Sequence, residues 1–441
     1  MSRFTTVLGA VLLAFLLTVP AAADTCSNDP VPAATLLVPY FEVDMLDSDG
    51  VNTLFTIHNA EPEATLAHIT LWTDWSLPSV TFDVFLTGFD VVTVDLRDVF
   101  VNGNIPITAD DQSDVMDSIS PHGANPEWDG SFQDCQNFFP FFNNPVIQGT
   151  AYERLVNGHT GKPVASAGGQ CLAADLDDNI ARGYVTIDDA VRCSIEVPPE
   201  PGYFGGNFPV ASDDNQLWGE VVYIEPGNFE MSAMPLVHLE ADPEINAGAP
   251  WAYTFYGRYT RYEGGEDHRE PLATSWAFHF NEGGPFTGGT DLVAWRDSGS
   301  DLQNPFGTTF TCGNGADKGP DWWPLEEYRV RCFNESESFV ELCDGPEEIA
   351  CFPLETQKIE MQSLGAPWSF GWCEVDFEGR IPQLGGPRPQ SFVAAFHSAA
   401  GLFAGGMPAT ELAHACDAYV GVVFADGFES GNLSSWSTVF P

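Results

Sequence analysis

Lysine is nearly absent from this chain. Its 441 residues carry 16 Lys and Arg against 63 Asp and Glu, a formal charge of −47, with the acidic residues spread along the whole length. A field of that sign repels nucleic acid and anionic membrane, which makes both poor partners, and no nucleic acid is expected. It favours divalent cations or basic partners, and more simply it keeps an exported β-protein soluble and monomeric. Long apolar runs are also missing. Beyond residue 23 nothing reaches the ~20 residues of a spanning helix, so no transmembrane span is expected. The signatures of catalysis are absent as well: there is no H-E-x-x-H, no G-x-S-x-G and no phosphate-binding glycine loop. His238-Leu239-Glu240 and Gly161-Lys162 come nearest, and both lack the partners the chemistry requires. No C-x-x-C occurs, and the tightest cysteine spacing, Cys343 to Cys351, argues against a metal site.

What is present starts at the N-terminus. Arg3, an apolar run over residues 7–19 and the small residues Ala21, Ala22 and Ala23 form a secretory signal, with cleavage expected before Asp24. All ten cysteines follow it: Cys26, Cys135, Cys171, Cys193, Cys312, Cys332, Cys343, Cys351, Cys373 and Cys416. An even count in an exported chain implies disulfides. Spacing does not give their connectivity, although Cys343–Cys351, closing a short loop, is the easiest pair to guess. Cys26 follows Asp24-Thr25 rather than the small residue a lipid-attachment site needs, so it is not read as an anchor.

Strand signals dominate the mature chain. Residues 36–44, 53–59, 66–72, 80–86 and 91–96 are short and rich in β-branched and aromatic side chains, and turns such as Asp47-Ser48-Asp49-Gly50 separate them. In 80–86, Phe82, Val84 and Leu86 alternate with Thr81 and Asp83, which point the other way. Residues 101–180 break the rhythm with Asn, Pro, Gly and Asp, and a short helix is expected at 109–119. A stretch this long without strands is a functional loop or an excursion with its own structure. Strands resume at 183–188 and 217–224, while 228–242 reads as either strand or helix. The fold class is therefore all-β, as antiparallel sandwiches.

Two segments resemble one another. Residues 53–74 (TLFTIHNAEPEATLAHITLWTD) and 275–297 (SWAFHFNEGGPFTGGTDLVAWRD) each run strand, Asn-led turn, strand, with Trp and Asp at the close. GYVTID at 183–188 echoes GWCEVD at 371–376, and 217–223 matches 391–397. The order implies two tandem β-sandwich domains. The expected division is a signal at 1–23, a first domain at 24–245 with an irregular insertion at about 101–180, a second domain at 246–424, and a tail at 425–441. In strand count and order the halves resemble the immunoglobulin-like sandwiches of exported bacterial surface proteins. True immunoglobulin domains join two strands by a cysteine pair around a core Trp. No Cys lies in the early strands around Ile57, so the disulfides here must be arranged differently. The final segment, around Asp426-Gly427-Phe428-Glu429-Ser430-Gly431, is similar to a short tail that ends otherwise unrelated exported proteins of Gram-negative bacteria. That resemblance implies an address or attachment role.

Several residues are candidates for chemistry. Asp175, Asp177 and Asp178 offer hard oxygens in one loop and are the candidate calcium ligands. Asp47-Ser48-Asp49-Gly50 reads as a plain β-turn. Glu266-Asp267-His268-Arg269-Glu270 is the densest ionisable cluster and, after Gly264-Gly265, reads as a surface loop. His58, His68, His238 and His279 are dispersed and read as structural. Trp72, Trp75 and above all the adjacent Trp322 and Trp323 are candidates for stacking on a sugar or a partner. With 63 acidic residues, no carboxylate pair of the kind glycoside hydrolysis uses stands out in sequence. The resulting expectation is an exported protein, secreted or at the cell surface, without a catalytic role and with a glycan or protein partner. The alternatives are a secreted carbohydrate-binding or glycoside-hydrolysing protein and a calcium-stabilised surface domain.

Overall fold

Among the described residues of the computed structural model, eighteen strands assort into four sheets, and every pairing is antiparallel. The described residues are 30–106, 146–243, 254–260, 267–297, 310–313, 319–320, 325, 327–343, 351–377, 390–399 and 402–414. The signal, the expected helix at 109–119, the domain boundary near 246–250, Cys26, Cys135, Cys416, Trp322, Trp323 and the tail lie outside them.

In chain order the first nine strands are β1 (Thr35–Asp44), β2 (Asn52–Asn59), β3 (Thr65–Trp72), β4 (Pro78–Leu86), β5 (Val91–Asp95), β6 (Ile180–Ala190), β7 (Leu217–Glu225), β8 (Glu230–Pro235) and β9 (Val237–Leu239). The next nine are β10 (Ala273–Asn281), β11 (Gly289–Arg296), β12 (Arg329–Phe333), β13 (Phe339–Leu342), β14 (Thr356–Glu360), β15 (Phe370–Asp376), β16 (Ser391–Ala399), β17 (Phe403–Pro408) and β18 (Thr410–His414). The first set forms sheets ordered β4-β3-β6-β1-β9 and β5-β2-β7-β8. The second forms β13-β12-β15-β10-β18 and β14-β11-β16-β17. Raising every strand number of the first set by nine reproduces the second, so both halves have one topology.

That correspondence puts the sequence echoes in order. GYVTID and GWCEVD fall on the equivalent strands β6 and β15, and 217–223 and 391–397 fall on β7 and β16. The Trp–Asp echo is one strand out of step, because it matches β2–β3 to β10–β11 whereas topology matches β1–β2 to β10–β11. Its likeness has a local cause: both segments end by delivering a Trp to one aromatic cluster. The indole of Trp72 stacks on Tyr184, with ring centroids 5.7 Å apart, and Trp295 meets the same Tyr184 edge-on at 5.9 Å. The largest hydrophobic core accordingly runs through both halves without a break.

The outward face of the β4-β3-β6-β1-β9 sheet is covered. Asp83 points away from the main core, as the alternation implies, yet it is buried and meets His68 Nδ1 at 2.7 Å. Above it, Tyr203, Val210 and Cys193 from the segment after β6 pack on Leu66 and Phe85. The 101–180 excursion supplies helix α1 (Gly149–His159), which packs on β4 and β6 with Leu155 and His159 buried. Edge strands β8 and β17, one from each half, lie beside each other.

Disulfides staple this frame. Cys332–Cys373 joins directly opposed residues of β12 and β15, Cys343–Cys351 closes the short loop after β13, and Cys171–Cys312 ties the excursion to the second half across 141 residues. Cys193 is also disulfide-bonded.

Candidate functional site at the seam

The polar residues with the richest contacts lie where the halves meet. Asp267 and Arg269 are fully buried, so the cluster expected as a surface loop is an internal latch. A guanidinium out of water needs its donors satisfied. Arg269 Nε donates to Thr35 Oγ1 at 2.7 Å and Nη2 to the Ser212 carbonyl at 2.6 Å, and Nη1 lies 3.3 Å from Asp213 and 3.4 Å from Asp267. The carboxylate of Asp188, 3.8 Å from Arg269 Nε, accepts from the hydroxyls of Tyr203 at 2.6 Å and Tyr256 at 3.0 Å. Desolvation holds both phenols well above their usual range, which keeps them donors. His268 meets Asp213 at 2.6 Å, and Glu266 lies outside the described residues.

A second latch centres on Arg258, in the short helix α2 (Gly257–Thr260). Its Nη1 donates to Asp297 at 2.9 Å and to both oxygens of Glu355 at 3.0 Å, and its guanidinium lies 4.5 Å above the Tyr259 ring. Tyr259 in turn stacks on Trp72 of the first half. Nearby, Asp74 accepts the Ala174 amide at 3.1 Å. Burial, with the neighbouring Glu355 adding to it, raises the Asp74 carboxyl to about 7.

An open cleft lies between β1, β2, β7 and β8 on one side and β11, β14, β16 and β17 on the other. Its floor carries one ammonium between two carboxylates. Lys358 Nζ donates to Glu42 Oε1 at 2.7 Å and lies 3.7 Å from Asp291 Oδ2. Tyr40 donates to the other Glu42 oxygen at 3.2 Å, and Tyr223 donates to the Tyr40 carbonyl at 2.8 Å. The Tyr223 ring meets Phe396 edge-on at 5.2 Å. Beside them His397 Nδ1 shares a 3.0 Å hydrogen bond with Thr290 Oγ1. Burial raises Asp291 to about 6, with Glu360 and Glu42 adding to the shift and Lys358 opposing it. Burial works against the Lys358 charge, but Glu42 and Asp291 outweigh it and raise the amine.

The residues singled out in sequence are placed as follows. Asp178 forks onto Arg182, with contacts of 2.9 and 2.8 Å, and the Asp177 amide donates to Asp175 at 3.0 Å. Among the described residues the group with converging metal-ligand atoms is Glu327 with Cys343 and Cys351, and those two cysteines are bonded to each other. Glu327 accepts the amides of Cys351 and Phe352. Trp72 and Trp75 are buried, so neither offers a sugar-stacking surface: Trp72 belongs to the seam cluster, and Trp75 packs under the excursion. Of the histidines, His68 and His238 are buried, His58 stacks on Trp218 at 3.8 Å, and His279 is exposed. Sequence reading missed Glu42, Asp291 and Lys358. The scarcity of lysine was the one available signal, since a lone ammonium on a strand of so acidic a chain has to find carboxylates.

No family model matches the chain, and no curated protein does. Among solved structures, the α-L-rhamnosidase of Streptomyces avermitilis, complexed with L-rhamnose, aligns over 87% of this chain and 26% of its own, at 10% identity and a TM-score of 0.17. The chain thus spans about a quarter of that protein, and a likeness at this level transfers neither fold nor activity.

Proposed function

We propose that this is an exported, disulfide-stapled β-sandwich protein, secreted or held at the cell surface, that works by binding rather than by catalysis. The observation that supports it is the Lys358 bridge. In the seam cleft the two carboxyl groups best placed for acid–base work already share an ammonium from the chain itself. Such a bridge joins the halves, because Glu42 belongs to β1 and Lys358 to β14. The signal at 1–23, the immunoglobulin-like resemblance and the tail at 425–441 support export. Among the described residues no helix is long and apolar enough to cross a membrane. Calcium at Asp175, Asp177 and Asp178 belongs to this proposal only if it displaces Arg182 from Asp178.

The test pairs stability with turnover. Glu42→Gln strands a half-buried ammonium and should lower stability by about 1–3 kcal/mol in denaturant unfolding. Neither the parent nor Asp291→Asn should release reducing ends from a panel of polysaccharides. One observation favours the alternative, a glycoside hydrolase: Asp291, raised to about 6, shares the Lys358 ammonium with a second carboxyl, Glu42, and a raised carboxyl is what an acid catalyst needs. Release of reducing ends by the parent, abolished in Asp291→Asn at unchanged Tm, would replace the binding reading with that one.

A further inference from the structure

The solvent face of the β13-β12-β15-β10 sheet carries a straight row of rings that the seam does not use. Register sets Phe339 opposite Phe333, Phe333 opposite Trp372, and Trp372 opposite His279, one residue from each of four neighbouring strands. Strands spaced ~4.8 Å apart give the row a length of ~14 Å. Phe333 and Trp372 stack with centroids 4.5 Å apart and planes 12° from parallel, and Phe333 to Phe339 is 6.0 Å. Phe339 is 59% and Trp372 37% exposed. Cross-strand ring pairs steady the sheet itself, and a row of them left exposed to water is also the kind of apolar patch that marks interaction sites.

Two further features make the row a built surface. Beneath the stacked pair, Cys332–Cys373 joins the same two strands, so the rings are held before any ligand arrives. Beside it runs a polar rank of closed ion pairs: Arg331 with Glu341 and, at 2.7 Å, Arg329 with Glu374. These offer hydrogen bonds without free charge. The formal charge of −47 disfavours the approach of an anionic ligand.

We infer that this strip binds a neutral polysaccharide, the apolar C–H faces of its sugars lying against Trp372 and against the exposed part of Phe339, whose ring also carries the Arg331 guanidinium at 5.1 Å, and its hydroxyls reaching the Arg–Glu rank. The inference deepens the binding reading above and rests on it. Stacking on Phe333 takes one face of Trp372, and the other, on the His279 side, is the face a sugar would meet.

Affinity electrophoresis in native gels tests it, using a neutral β-glucan, a neutral α-glucan and a polyuronate. At least one neutral glycan should retard the protein and the polyuronate should not. Trp372→Ala and Phe339→Ala should each weaken retardation roughly tenfold at unchanged Tm, and Leu46→Ala, on an exposed turn of the first half, should leave it unaltered. Retardation by no neutral glycan, or retardation that survives both ring variants, would overturn the inference. So would a dimer in sedimentation that Trp372→Ala dissolves, which would give the face to a second copy. Release of sugar from the gel glycan would overturn the non-catalytic reading while leaving the strip in place.

Discussion

At the scale of single residues, the interior of this protein carries more charge than its fold class needs. Arg258, Arg269, Asp188, Asp267 and Glu355 are all buried, and each is held by charged or phenolic neighbours. Removing one partner of such a group leaves the other uncompensated, which is the costly case. Asp74 gives the most direct measurement. Unfolded, its carboxyl titrates near 3.8, and folded near 7. Between those values the folded state holds the extra proton, so this site's contribution is full below about 3.8 and is lost as pH rises toward 7. Asp74→Asn has no such titration. Its Tm relative to the parent should therefore climb between pH 5 and pH 8, and a difference that stays flat across that range would contradict the buried-carboxyl reading. None of this was legible in sequence, where Asp267-His268-Arg269 behind two glycines has the composition of a solvated loop. Only the packing of residues 254–260 and 267–270 against β1 and β6 turns it inward.

Individual elements were easier to read. Strands β1 to β7 lie within a few residues of their expected bounds, because period-two alternation and β-branched runs report directly on a pleated sheet. The ambiguous stretch at 228–242 is two strands, β8 and β9, with Pro235 closing the first where its missing N–H does no harm. Helix α1 went unseen. It begins at Gly149 with a left-handed φ of 63° and contains Asn157-Gly158, both poor helix signals, so packing on β4 and β6 overrides local preference. The covering of the first sheet's outer face was equally hidden, since alternation shows which way a side chain points but not what lies over it. The Cys343–Cys351 pair was guessed from spacing, whereas Cys332–Cys373 depends on strands 41 residues apart meeting in register. Replacing both of those cysteines by Ala should cost about 3 kcal/mol in guanidinium unfolding and should also loosen the aromatic strip. A cost below ~1 kcal/mol would mean that β12 and β15 hold their register without the bond.

For the whole molecule, the two nine-stranded sets have equivalent topology but do not behave as beads on a string. The shared core, the stacking of Tyr259 on Trp72, the Arg269 latch, the Lys358 bridge, the Thr356 hydroxyl on the Pro39 carbonyl and Cys171–Cys312 all cross between them. Calorimetry should therefore show one cooperative transition, and reduction should lower it as a unit rather than weaken the cysteine-rich half alone. Two separated transitions in the oxidised protein would show the seam to be weaker than its contacts imply.

The placement of β8 against β17 reaches beyond stability. Each four-stranded sheet ends in a strand whose outward backbone groups invite a stranger to dock, and here the end strands β8 and β17 lie close together. Two ends that crowd one another leave a stranger less room to pair with either, so the twin halves restrain strand recruitment at the margin where they meet.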